Sequence, residues 1–301
     1  MVTMAARVFT AALVAVALLD NVQGVAIKRQ SVTTLSQAQI STFKPFTFYA
    51  SASYCAPSTT LTWTCGANCN ANPGFKPTAS GGDGDTVQFW YVGWDPVEST
   101  VIVGHQGTDT SKILPLLTDA DFFLTPLDST LFPGISSSIQ VHNGFGAAQE
   151  KAATSVLAAV QETISAHGAK TVTVIGHSLG AAISLLDSVY LHLHLPSTIR
   201  INTVTYGLPR VGNEAFANYV DANLHLTHIN NKKDPVPIVP GRLLGFVHPN
   251  GEVHINEDET WDSCPGHDNP SSKCIVGAEP SLLNSNEPDH DGPYDGVEIG
   301  C

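Results

Sequence analysis

Thr171-Val172-Thr173-Val174-Ile175-Gly176-His177-Ser178-Leu179-Gly180-Ala181-Ala182 reads as a short buried strand, a tight turn and the start of a helix. The β-branched run 171–175 suits a strand, and Ala181-Ala182-Ile183-Ser184-Leu185-Leu186 suits a helix. Between them Gly176-His177-Ser178-Leu179-Gly180 matches G-x-S-x-G in its strand–turn–helix context. The turn is so sharp that Cβ atoms at 176 and 180 would collide with the flanking elements, and it projects Ser178 outward as a candidate nucleophile. The helix N-terminus presents backbone N–H groups, beginning with that of Leu179, to negative charge.

Working outward from this stretch, strands alternate with helices. A helix is expected over 147–166, where Ala152, Val156, Ala159, Val160 and Ile164 recur at helical spacing. His167-Gly168 ends it. Strands are expected over 86–94, 100–104, 201–206 and 224–230, with helices over 31–48 and around 214–222. This order implies an α/β fold: a mainly parallel central sheet with helices on both faces. The Pro/Asn/Asp-rich stretch after Asn256 is expected to be irregular.

A serine nucleophile needs a base, and the base needs an orienting acid. Asp234, in Asn230-Asn231-Lys232-Lys233-Asp234-Pro235-Val236-Pro237, lies just past an expected strand, and two prolines stiffen its loop. Four later histidines, His248, His254, His267 and His290, compete for the role of base, and local sequence barely separates them. His177 is expected to face away from the reacting side.

Arg7 followed by the apolar run 8–19 and by Val22-Gln23-Gly24 reads as a signal peptide over 1–24. Lys28-Arg29 offers a second processing site after a short propeptide, 25–29, leaving one domain over 30–301. No other stretch is long and apolar enough to span a bilayer. The net charge of −13 argues against nucleic acid and anionic membranes as partners. Cleavage after Arg29 would remove Arg7, Lys28, Arg29 and Asp20, making the remainder two units more negative. Charged residues make up 14% of the chain against a usual ~25%, so much of the surface is neutral. Six cysteines behind a signal segment imply disulfides. Cys65 and Cys69 flank a short turn and Cys264 and Cys274 a short loop, so local pairs are expected, which leaves Cys55 for Cys301. The spacings fit no usual zinc site, and no phosphate loop or cofactor fingerprint is present. Neither a metal nor a cofactor is expected.

Four strings in order carry a specific resemblance. They are Val141-His142-Asn143-Gly144-Phe145, the Gly176–Gly180 elbow, Thr205-Tyr206-Gly207-Leu208-Pro209-Arg210-Val211-Gly212-Asn213 and Asp234-Pro235-Val236-Pro237. Together they resemble the fungal class 3 lipases and the related feruloyl esterases, over about 35–301. The resemblance implies an α/β-hydrolase fold with Ser178, Asp234 and His290 as the catalytic triad. His248 then matches a non-catalytic histidine. It implies an oxyanion hole from the backbone N–H groups of Leu179 and Thr108, although Gln106 stands where the family has arginine. The long Cys55–Cys301 bridge and the Cys65–Cys69 loop also fit the family. The segment 110–117 matches the family's lid, with Ile113, Leu114, Leu116 and Leu117 as its apolar residues.

The resulting expectation is a secreted, extracellular, monomeric serine ester hydrolase without cofactor. It would act as a triacylglycerol lipase through an acyl-enzyme at a transient lipid–water interface, on lipid or other ester substrates. The apolar lid favours lipid esters. The alternatives are a feruloyl or other soluble-ester esterase and, in another class, an inactive lipid-binding protein.

Overall fold

The computed structural model describes residues 31–108 and 123–301. The expected signal peptide and propeptide, and the lid residues Ile113, Leu114, Leu116 and Leu117, lie outside the described residues.

The chain opens with β1 (Thr33–Thr34), α1 (Gln37–Ile40), α2 (Lys44–Ala52), α3 (Pro57–Thr62) and α4 (Ala67–Ala71). Then come β2 (Lys76–Gly81), β3 (Trp90–Asp95), β4 (Thr100–His105), β5 (Leu124–Pro126) and β6 (Gln140–His142). The helices α5 (Asn143–Glu150) and α6 (Ala153–His167) lead to β7 (Thr171–His177) and α7 (Leu179–His194). β8 (Arg200–Tyr206), β9 (Gly212–Asn213), α8 (Glu214–Asn223) and β10 (His225–Asn231) follow. The last elements are β11 (Phe246–Val247), β12 (Glu252–Ile255), β13 (Trp261–Cys264) and α9 (Ile275–Ala278).

The large sheet runs β1-β13-β12-β10-β8-β7-β4-β3-β2. Its centre, β4-β7-β8-β10-β12, is parallel, and both flanks are antiparallel. A smaller sheet, β11-β9-β6-β5, is antiparallel. Because successive side chains on a strand alternate faces, each central strand feeds two cores. Val101, Val103, Val172 and Val174 pack with α6 and α7. Ile102, Ile175, Val204 and Ile229 pack with α2 residues Tyr49, Ala50 and Ala52. This two-sided burial explains the continuous β-branched runs of β4 and β7.

Three local expectations are corrected. The helix expected over 31–48 is two helices. Ser36 closes a capping box with Gln39 on α1, and Pro45 in the first turn of α2 starts the chain afresh, since it has no N–H to continue the first helix. The helix expected over 147–166 is α5 and α6, interrupted at Ala152, whose φ of −115° leaves helical geometry. The stretch after Asn256 is not all irregular. β13 pairs with β12 and β1, and its buried Asp262 accepts hydrogen bonds from the Thr34 hydroxyl and the Asn256 amide. A strand with a buried aspartate carries no alternation signal, so only pairing defines it.

Disulfides join Cys55 to Cys301, Cys65 to Cys69 and Cys264 to Cys274. The Cys65–Cys69 segment is not a plain turn, because Cys69 sits inside α4.

Candidate active site

Ser178 lies between the end of β7 and the first residue of α7. Its φ of 61° and ψ of −129° place a non-glycine residue in a strained region, where the cost is about 1–3 kcal/mol. Surrounding structure holds it there. The Ser178 N–H donates to Tyr206 O across to β8 at 3.0 Å. A Cβ at Gly176 would strike the Gly180 backbone, and one at Gly180 would strike the backbone of His105 and Gln106. The two glycines thus let strand, helix and the end of β4 meet within one turn. Leu179 begins α7, so its N–H is among those without an intrahelical acceptor.

Asp234 follows β10, two strands across the parallel sheet from β7. Its Oδ1 accepts the Val236 N–H at 2.8 Å, and its Oδ2 accepts from His290 Nδ1 at 2.8 Å. Both side chains are fully buried. With Nδ1 as donor, Nε2 of His290 is left with a lone pair. Among the described residues, neither His290 Nε2 nor Ser178 Oγ has a hydrogen-bond partner. Gly207, at φ 54°, sits against this pair. A Cβ there would lie 2.7 Å from His290 Cε1 and 2.9 Å from Asp234 Oδ2.

The other three candidate histidines stand elsewhere. His248 is buried, stacks on His228 at 4.9 Å and bonds through Nε2 to Pro237 O. Burial pushes both rings down to about 3, so they stay neutral. His254 points its two nitrogens at Lys232 O and Lys273 O. His267 meets Asp221 on a partly exposed surface.

His290 is held by long-range bonds. Asn231 Nδ2 donates to Asp289 O, and the Lys233 N–H to Asp289 Oδ2. Downstream, the Ile299 N–H donates to Asp291 O, shortly before Cys301 is bonded to Cys55.

Gly107 and Thr108 follow β4 beside the elbow, and a Cβ on Gly107 would come within 3.0 Å of Ser178 Cβ. Gln106 ties its loop to Phe89 twice, through Gln106 N to Phe89 O and Phe89 N to Gln106 Oε1, both 2.8 Å. A buried histidine–carboxylate contact lies one residue earlier. His105 Nε2 lies 2.6 Å from Asp187 Oδ2 on α7, and Gln149 Nε2 of α5 donates to Asp187 Oδ1.

Sequence reasoning missed three neighbours of the site. Tyr54, Gly207 and His177 all touch it, and His177 does not face away: its ring centroid is 4.3 Å from that of His290. Adjacency to Cys55 was the available signal for Tyr54, and the Thr205–Asn213 string the signal for Gly207. Among the described residues, the potential metal-binding cluster is Glu252, Cys264 and Cys274. Its two sulfurs form a disulfide and offer no thiolate.

A family model described as Lipase (class 3) matches residues 102–244. A secreted mono- and diacylglycerol lipase of Malassezia globosa is 34% identical over 232 residues, covering 72% of this chain and 74% of that one. Among solved structures, lipase II from Rhizopus niveus superposes with a TM-score of 0.76 at 26% identity, covering 89% of this chain and 99% of that one. A triacylglycerol lipase whose catalytic centre is a serine protease triad superposes with a TM-score of 0.75 at 26% identity, covering 89% and 98%. The chain belongs to the fungal class 3 lipase family, and it is a secreted carboxylic ester hydrolase of the α/β-hydrolase fold.

Proposed function

We propose that the chain hydrolyses acylglycerols, triacylglycerols included, at a lipid–water interface through an acyl-enzyme on Ser178. The observation that carries this reading is the buried Asp234–His290 pair, whose Nε2 lone pair is left for the serine of the elbow. Ser178 Oγ attacks the ester carbonyl as His290 Nε2 takes its proton. The carbonyl oxygen becomes an oxyanion, held by the N–H groups of Leu179 and Thr108, donors of a kind that contribute roughly 3–4 kcal/mol each. Collapse expels the alcohol, which takes the proton from His290. Water then repeats the cycle with the same base and releases the fatty acid. Asp234 keeps Nδ1 protonated and stabilises the imidazolium.

Lipid rather than feruloyl esters are supported by the names of the relatives and by the surface. Phe123, Leu243 and Leu244 are exposed, Leu243 completely. Gly245 abuts Leu124, so the 242–244 turn lies beside β5. Such side chains yield about 1.5–3 kcal/mol each on entering an apolar phase.

The test compares an emulsified triacylglycerol, a diacylglycerol, a soluble butyrate ester and methyl ferulate. Faster turnover of emulsified acylglycerols supports the reading, and faster turnover of methyl ferulate than of any lipid ester overturns it. Stoichiometric labelling by a fluorophosphonate, lost in Ser178→Ala, excludes an inactive lipid-binding protein.

A further inference from the structure

His177 precedes the nucleophile, is fully buried and has no part in the proton transfers above. Its two ring nitrogens are nevertheless both bonded. Nε2 lies 2.8 Å from His290 O, and Nδ1 lies 2.7 Å from the Tyr54 hydroxyl. A carbonyl oxygen only accepts, so Nε2 carries the hydrogen and Nδ1 is the acceptor. Tyr54 must therefore donate to Nδ1, and its oxygen lies against Gly107, where an added Cβ would come within 2.2 Å of it. Both bonds of His177 point the same way, Tyr54 O–H to His177 and His177 N–H to His290 O, and the Tyr54 hydroxyl packs on Gly107. Tyr294 donates a second hydrogen bond to His290 O at 3.0 Å. Burial and the neighbouring His290 hold the His177 imidazole well below its ordinary range. It therefore stays neutral, as the donation from Tyr54 requires.

We propose that His177 is a positioning residue, which with Tyr54 locks the backbone of the base His290 to the Gly107–Thr108 oxyanion loop. The inference rests on the assignment of His290 as base. Its physical logic is that His290 is held on two sides among the described residues. Asp234 holds Nδ1 from one side, while His177 bonds the backbone oxygen and packs against the ring face at 4.3 Å. The peptide that carries the base is thereby referred to the peptide that carries the oxyanion donor. The two ends of the proposed reacting geometry are thus joined by the two bonds of His177 and by the packing of the Tyr54 hydroxyl on Gly107, the residue before the proposed oxyanion donor Thr108.

The test measures kcat and KM on a soluble butyrate ester, with thermal unfolding in parallel. His177→Phe keeps the volume but breaks both bonds. Its kcat is expected to fall about 30–100-fold, as for a misplacement on the order of 1 Å, with KM within about twofold. His177→Gln can accept from Tyr54 and donate to His290 O, and it should recover most of that loss. Tyr54→Phe removes one hydroxyl and should lower kcat about tenfold, and the double variant Tyr54→Phe/His177→Phe should be no slower than His177→Phe, because the bonds act as a unit. A folded His177→Phe with native kcat overturns the proposal, as does a Gln variant no faster than Phe. If His177→Phe does not fold, Tyr54→Phe decides: native kcat there overturns the proposal. His290→Ala separates the two readings. If it stays active, the assignment of the base fails; if it is inactive while His177→Phe and Tyr54→Phe are native, only the positioning role fails.

Discussion

The elbow around Ser178 and the tail that carries His290 supply the two halves of the proposed site by opposite means. The elbow is local. Strand, turn and helix follow within twelve residues, and Gly176 and Gly180 suffice to let the backbone fold so sharply. The tail is held from a distance. His290 sits in a short helical turn, and its place comes from Asp234, Asn231 and Lys233 more than fifty residues away, from His177 and from the bridge between Cys301 and Cys55. The proposed nucleophile thus depends on backbone geometry that any folded molecule retains. The proposed base depends on contacts that can loosen while the sheet stays intact.

The largest expected effects would break this comparison outright. Ser178→Ala and His290→Ala should each lower kcat by about 10⁴-fold or more, and the double variant by no more than either, since such residues act as a unit. Additive losses measured on a soluble ester would mean that the two do not act on one proton.

Removing the tail's anchor should separate the halves. In the chain-entropy view the Cys55–Cys301 bridge, closing a loop of 246 residues, stabilises by about 5 kcal/mol at most. The Cys65–Cys69 bridge closes a separation of 4, worth roughly 2 kcal/mol. Cys301→Ser should lower the unfolding midpoint more than Cys65→Ser. On heating, its activity should vanish before its far-ultraviolet dichroism changes. Coincident loss of the two signals would show the tail to be no weaker than the elbow.

Acid distinguishes a supporting histidine from the proposed base. The native pKa of His248 and His228 is about 3, below the ordinary 6.5. Their contribution is therefore complete above pH 6.5 and is lost as pH falls from there toward 3, because the unfolded chain binds protons that the native one refuses. Stability should drop by up to about 1.4 kcal/mol per pH unit for each ring. His248→Gln, which keeps a donor for Pro237 O, should flatten the decline of the urea midpoint between pH 6.5 and 4 without lowering kcat at pH 7 by more than about twofold. An unchanged slope would mean that His248 is protonated in the native state.

The smallest effect concerns neither half of the site but its surroundings. Leu243→Ser with Leu244→Ser should leave turnover of a soluble ester and the unfolding midpoint unchanged, because both side chains are exposed. Turnover of an emulsion should fall about three- to tenfold. Equal losses on both substrates would remove these leucines from the lipid-facing surface.

Residue order alone determined the alternation of strands and helices, the elbow and the candidate acid after β10, because each is written in a short window: a β-branched run, two glycines, an aspartate between strand end and proline. Other features exist only as pairings. β13 is a strand because β12 and β1 accept it, despite a buried aspartate. His105 meets Asp187 from 82 positions away, one residue before the position where the family pattern pointed to an arginine that this chain lacks. His248, His254, His267 and His290 are chemically equivalent in the sequence. Folding gives one of them the buried Asp234 at 2.8 Å and gives the others a carbonyl oxygen or an exposed carboxylate. A side chain's reactivity is set by the field and the hydrogen bonds around it, and these come from residues that the sequence keeps far apart and only tertiary packing brings within reach.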